Sequence, residues 1–228
     1  MAAELNGSEA VEIIKTEVIG RAIAQRGHWK GRCWLALHRR TVLSKGEEHD
    51  YFFVTRGEDV PASSQKKPDA VVAIGFVGEG EDTKMVITDE YRLPIDCREY
   101  GSVAGLIDKA DYEGSSNIKD AALRAAIREF YEETGLNFVP CEVSTPNLYC
   151  SAGLTNESIC IVVGKASGTP SKEYLETHED INTLMLNRDE IIALMDTDGF
   201  VCSKHVWPFL WAVKQFGFPT NLKPLSLN

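Results

Sequence analysis

No stretch of this chain approaches the roughly twenty consecutive apolar residues that span a bilayer, so a helical membrane segment is not expected. The opening MAAELNGSEAVEII has neither the basic start nor the apolar run of a secretory signal. Cysteine pairing is missing as well. Six cysteines (33, 97, 141, 150, 160 and 202) are scattered without a CxxC pair, which excludes a dense disulfide framework and leaves a reduced, cytoplasmic chain as the expectation. Basic residues are in deficit, with 24 Lys and Arg against 34 Asp and Glu, a formal charge of -10. Such a surface repels a polyphosphate backbone, so nucleic acid is not an expected partner. An anionic small substrate would need bridging cations, local basic residues, or both. There is no internal repeat and no low-complexity tract.

What remains is an ordinary globular composition, 43% hydrophobic and 25% charged over 228 residues, enough for one α/β domain and a small extra subdomain. Residues 9 to 24 read as a short helix with irregular apolar spacing. Arg32 to Arg39 and Asp50 to Thr55 read as strands, with a polar turn from Ser44 to His49 between them. Pro61 to Pro68 marks a boundary. Ala70 to Val77 and Lys84 to Thr88 predict a hairpin around Gly78-Glu79-Gly80-Glu81. Ile159 to Gly164 and Ile181 to Leu186 read as strands. Asp189 to Met195 and Ser203 to Phe216 read as helices, the second with a serine cap. Strands interleaved with helices suit a mixed sheet covered by helices rather than a bundle.

The strongest helix runs from Lys119 to Thr134, where Ala122, Leu123, Ala126, Ile127 and Phe130 recur at helical spacing and Gly135 supplies the stop. Opposite that apolar stripe, Glu129, Glu132 and Glu133 stand at i, i+3 and i+4 and share one face. Like charges that close repel, so something must offset them. Arg128 can do part of this through Glu132, and hard oxygen ligands on a fixed helix suit Mg²⁺ or Mn²⁺. A charged run alone is more often a solvated face; the packed opposite side and the terminal glycine favour the metal.

The segment Arg128-Glu129-Phe130-Tyr131-Glu132-Glu133-Thr134-Gly135-Leu136 resembles the second half of the Nudix box, REUxEExGU, at every specified position. In the first half the chain departs: Asp120 stands where the family has glutamate, and Gly114 lies at the expected distance from it. Ala104-Gly105-Leu106-Ile107-Asp108 is similar to the segment that opens the box in ADP-ribose pyrophosphatases, which makes residues 109–118 an insertion. Glu90 to Pro94, Ser151 to Glu157 and His178 to Ile181 are similar, in the same order, to further segments of that subfamily. Where the subfamily has Glu-Phe/Val-Pro before this segment, the chain has Gly101-Ser102-Val103, with Glu99 two residues away.

The resemblance implies a Nudix α/β/α sandwich, residues 61–218, preceded by a small β subdomain, residues 1–60, and followed by a tail, residues 219–228. In related pyrophosphatases the subdomain builds a homodimer. It also implies that Glu129, Glu133 and the carbonyl of Ala104 ligate Mg²⁺ (Mn²⁺ as substitute), with Glu132 completing the set directly or through water. Glu179 is the candidate general base, and Glu132 counts as catalytic with it. Arg92 is the candidate clamp on substrate oxygens, with Arg56, Gly153 and Leu154 as further substrate contacts. Arg128 is assigned to orienting the glutamates and Asp120 to capping the helix. The implied activity is hydrolysis of ADP-ribose to AMP and ribose 5-phosphate. Alternatives are a nucleotide sugar or another nucleoside diphosphate derivative and, less favoured, a sensor that binds ADP-ribose without cleaving it.

Overall fold

The computed structural model describes residues 11–25, 30–60, 67–113, 115, 117–144 and 147–225. The chain divides into two compact units, residues 1–66 with 149–158, and residues 67–148 with 159–228.

The first unit is built on a three-stranded antiparallel sheet of β1 (Glu12–Ile23), β2 (Cys33–Ser44) and β3 (Glu47–Arg56). β2 and β3 are longer than the sequence reading, because the turn between them is only Lys45-Gly46, both at positive φ, and the strands pair right up to it. β1 corrects the helix expected over residues 9–24. Its pairing with β2 slips between Ile13 and Lys15 and again between Val18 and Gly20. Each bulge adds one residue to the strand and breaks the two-residue alternation. The apolar residues consequently lose the alternation that marks a strand and are left at the irregular spacing that reads as a short helix. A second segment, Cys150–Glu157, closes on itself and joins the edge of β3, where the Val54 N–H donates to the Leu154 carbonyl at 2.8 Å.

In the second unit β4 (Ala70–Val77) lies between β5 (Lys84–Arg92) and β10 (Ser158–Ser167), in the order β11 (Ile181–Leu186), β5, β4, β10, β8 (Asn137–Val143). β10 runs parallel to β4 and the other neighbours are antiparallel, so the sheet is mixed as expected. β6 (Cys97–Gly101) pairs with β5, β7 (Val103–Leu106) pairs with β4, and β9 (Leu148–Tyr149) lies where the chain leaves this unit. β6, β7 and β8 carry no alternation clear enough to be read from sequence.

Four helices complete it: α1 (Lys109–Tyr112), α2 (Ile118–Thr134), α3 (Arg188–Met195) and α4 (Trp207–Phe216). α2 forms where the apolar spacing places it. Ala122, Leu123, Ala126 and Phe130 pack among Val71, Ala73, Val86, Val103 and Val162, and full burial of a side chain such as Leu123 or Phe130 stabilises the fold by about 1.5–3 kcal/mol. Two caps differ from expectation. Asn117, not Asp120, caps α2, its Oδ1 accepting from the Asp120 N–H at 3.0 Å, because a cap bonds the amide three residues ahead and Asp120 is that third residue. α4 starts at Trp207 without a side-chain cap, since Ser203 is held in an extended segment beside β6, where its N–H donates to the Tyr100 carbonyl at 2.9 Å. Gly114, residues 61–66 of the boundary and residues 226–228 of the tail lie outside the described residues.

Candidate active site

The site begins with a close approach of backbone to side chain. On Gly105 of β7, an added Cβ would lie 1.9 Å from Cδ of Glu129, so only glycine lets the carboxylate sit against that strand. One residue earlier, the Ala104 N–H donates to Glu133 Oε1 at 3.4 Å. The two carboxylates are thereby seated against the strand whose Ala104 carbonyl the resemblance assigns to the metal. Glu133 is buried, and the Glu129 side chain is 15% exposed.

Arg128 organises the helix face. Nη1 donates to Glu129 Oε1 at 2.8 Å and Glu132 Oε2 at 3.0 Å, while Nη2 donates to the Leu106 carbonyl at 3.0 Å and Asp111 Oδ2 at 2.9 Å. The orienting role expected for Arg128 is what these contacts describe. Asp111 is an addition the sequence reading missed. It is buried within the inserted residues 109–118, on α1, with a reciprocal capping box to Asp108 that the Asp-x-x-Asp spacing foreshadows. Burial works against the guanidinium's charge, but Asp111 and Glu129 outweigh it and push its pKa up. Glu132 is the outlier: 44% exposed, with one oxygen held by Arg128.

Electrostatically the pocket is over-supplied with carboxylates. Burial pushes Glu129 up to about 7, against the lowering effect of Arg128. Glu133 is raised well above the usual carboxylate range, first by burial and then by the charges of Glu129, Glu90 and Glu179, with the Ala104 N–H opposing. Glu90, at the end of β5, is raised by burial, and Glu179 and Glu99 add to this while Arg92 opposes it. Glu133 therefore feels the charges of Glu129 and Glu90, both largely withdrawn from water, and of Glu179 from the loop before β11. A hard divalent cation is the counter-charge such oxygen donors suit, so the residues present fit the implied Mg²⁺ or Mn²⁺.

The loop that carries Glu179 is held by its neighbours. Arg98 donates to Asp89 at 2.7 Å and to Asp180 at 2.8 Å, and the Tyr91 N–H donates to the Asp180 carbonyl at 3.1 Å, tying the loop to β5. Glu179 itself accepts from the Glu176 N–H at 2.9 Å. Glu176, His178 and Glu179 also bring ligand atoms within 4.8 Å of one another, but on a largely exposed loop. Arg92 is held between Glu90 at 2.9 Å and Glu99 at 3.3 Å. It borders a cavity of about 390 Å³ together with Glu99, Gly101, Ser102, Ala104 and the segment Ser203–His205. Sequence reasoning did not reach Glu90, Ser102 or Lys204 as site residues, since no spacing rule connects them.

The remaining expected substrate contacts belong to the first unit. Arg56 pairs with Glu157 at 2.6 Å and lies over the Trp34 ring at 5.3 Å. Gly153 and Leu154 are on the loop that joins β3, with Leu154 61% exposed.

A mixed sheet carrying the REFYEETGL helix against a close-packed glycine strand is the Nudix hydrolase fold. The chain is similar to putative nudix hydrolase 2 of Caenorhabditis elegans, with 28% identity over 130 residues, 55% of this chain and 54% of that protein, so the match spans about half the relative's length. The solved structure of an ADP compounds hydrolase shares the fold, with a TM-score of 0.59, covering 93% of this chain and 99% of its own at 15% identity. No family model matches the chain.

Proposed function

We propose that this chain hydrolyses a nucleoside diphosphate linked to a second group, with ADP-ribose, cleaved to AMP and ribose 5-phosphate, as the favoured substrate. The observation that carries the reading is the seating of Glu129 and Glu133 against Ala104 and Gly105, dehydrated and short of counter-charge. Glu129, Glu133 and the Ala104 carbonyl would hold Mg²⁺, with Glu132 at the exposed end of the set. When bound, the cation supplies Lewis acidity to the diphosphate and to the attacking water. Arg128 fixes the rotamers of Glu129 and Glu132. Glu179 takes the proton of the attacking water, carried to its position by the Arg98–Asp180 anchor. Arg92, its guanidinium already oriented by Glu90 and Glu99, holds substrate oxygens.

A nucleotide sugar or another nucleoside diphosphate derivative is the second reading. It is favoured by Gly101, which leaves a cavity wall without the side chain the resemblance leads one to expect. The related ADP compounds hydrolase, by its name, supports the ADP-linked class as a whole. A panel of diphosphates, scored for Mg²⁺-dependent turnover with both products identified, tests the proposal. Absence of turnover on every member would leave the sensor reading in its place.

The first unit is proposed to dimerise. What supports this is that Ile13, Ile14, Ile19, Tyr51 and Phe52 of its small sheet are each 45–55% exposed.

A further inference from the structure

Residues 168–180 connect β10 to β11 and carry Glu179, and the two ends of this loop are held in different ways. At the far end Asp180 is tied to β5 through Arg98 and the Tyr91 N–H. The near end is fastened to the glutamate helix itself. The Ser171 N–H donates to the Thr134 carbonyl at 2.9 Å, which gives one of the last carbonyls of α2 the partner that the helix cannot supply. Gly135 permits the approach: its φ is +73°, and an added Cβ would lie 2.7 Å from the Ser171 nitrogen. Three residues further on, the Tyr174 ring lies against the Tyr131 ring of α2, with centroids 4.8 Å apart and planes tilted by 34°, the spacing of a favourable aromatic pair. Tyr131 and Thr134 occupy the two positions that REUxEExGU leaves unspecified, so this fastening belongs to the present chain and not to the box.

The ring pair reaches Glu179 through the turn that follows it. The Glu179 N–H donates to the Glu176 carbonyl at 3.0 Å, and Glu179 Oε2 accepts in return from the Glu176 N–H at 2.9 Å. The carboxylate is therefore placed by the backbone of Glu176, which follows Tyr174 by two residues. Lys172 adds a lateral tie to Asn182 Oδ1 at 2.6 Å, through a long, flexible and exposed side chain. The remaining hydrogen bonds of residues 173–179 run chiefly within the loop, and a segment bonded mainly to itself opens at low cost. Tyr131 and Tyr174 are 39% and 44% exposed, so their rings contribute little to the core and their main contact is each other.

We infer that Tyr131 and Tyr174 are positioning residues, whose rings brace the loop against the glutamate helix and so fix where the Glu179 carboxylate stands relative to Glu129, Glu132 and Glu133. The inference rests on the diphosphate-hydrolase reading, with Glu179 as its base. Its test uses the full chain with Mg²⁺ and the diphosphate it turns over fastest, as wild type, Tyr174→Ala, Tyr174→Phe, Glu179→Gln and the Tyr174→Ala/Glu179→Gln double variant. Removing the ring lowers kcat by about five- to tenfold, the factor by which an aromatic pair favours the held loop. KM stays within about twofold, because the groups that hold the diphosphate are untouched. Tyr174→Phe keeps the ring and recovers most of kcat. In the Glu179→Gln background Tyr174→Ala costs nothing further, since the group it positions is gone. The same loss in both backgrounds, or a rise in KM with kcat unchanged, overturns the inference. A second arm needs no turnover: amide hydrogen exchange at residues 173–179 speeds up in Tyr174→Ala and in Tyr131→Ala, while exchange along β4 and β5 is unchanged. Unaltered exchange in both variants overturns the brace. Faster exchange in a chain whose Glu179→Gln variant keeps its kcat upholds the brace and removes Glu179 as the base.

Discussion

The end of α2 and the first unit's sheet are opposite anomalies. On α2 the fold buries charge: Glu133 and most of Glu129 are withdrawn from water, and burial raises both pKa values. On β1 and β3 it exposes hydrophobic surface, with Ile13, Tyr51 and Phe52 each more than half exposed. Each arrangement is unfavourable by itself, the first through desolvation and the second through hydration of apolar area. Each becomes favourable when a partner arrives. For the carboxylates the proposed partner is a cation; for the apolar sheet it is the proposed second copy of the chain. A fold can thus carry two unfinished surfaces of different chemistry, and the kind of group left over says what completes it.

The comparison breaks most sharply at the buried charge. Glu133→Gln should lower kcat by about 100-fold or more, the scale of a lost electrostatic contribution to the transition state. It should leave Tm unchanged or raised, because a dehydrated charge is removed; steady-state assays and thermal melts on one preparation check both, and full activity would end the metal-site assignment. Arg128→Ala should act in the other direction on stability. It leaves Asp111 and Glu129 without their partner, at a cost of about 3 kcal/mol, read by urea unfolding. Arg128→Lys should recover only part, since one ammonium cannot reproduce a fork that meets Asp111, Glu129, Glu132 and the Leu106 carbonyl at once.

At the apolar surface, Phe52→Asp should shift sedimentation from dimer to monomer, and deletion of residues 1–60 should give an aggregating or inactive chain. A wild type that sediments as monomer at micromolar concentration would leave the exposed sheet unexplained. The smallest effect concerns pH. Glu129 and Glu133 have folded pKa values above their ordinary ones, so their contribution to stability is complete below the ordinary value near 4.5 and is lost as pH rises through the folded value, about 7 for Glu129. In chelator, Tm should therefore fall between pH 5 and pH 7.5, and Mg²⁺ should flatten that slope while releasing protons. A Tm that climbs with pH over this window in chelator would contradict the burial of these groups.

The glutamate helix was readable because its evidence is local. Apolar spacing, a terminal glycine and three carboxylates on one face all lie within α2, and that helix formed to within a residue of its expected bounds. β1 differs from its expected helix for a local reason too: two bulges displaced its apolar residues from alternation into irregular spacing. Ser203 looked like a helix cap until its backbone proved to be engaged with Tyr100.

By itself, then, the sequence determined the α2 helix, its carboxylates and the neighbouring role of Arg128, because one helix face sets these by its 3.6-residue period, while the expectation of the fold came from the resemblance to the Nudix box. Tertiary structure alone decided that Asp111 from the insertion meets Arg128, that Glu90 and Glu179 act on Glu133, and that Gly101, Ser102 and Lys204 enclose one cavity. Those groups come from separate segments of the chain, and only the pairing of β6 and β7 into the sheet, with the approach of α2 to a glycine that has no Cβ, brings them within reach.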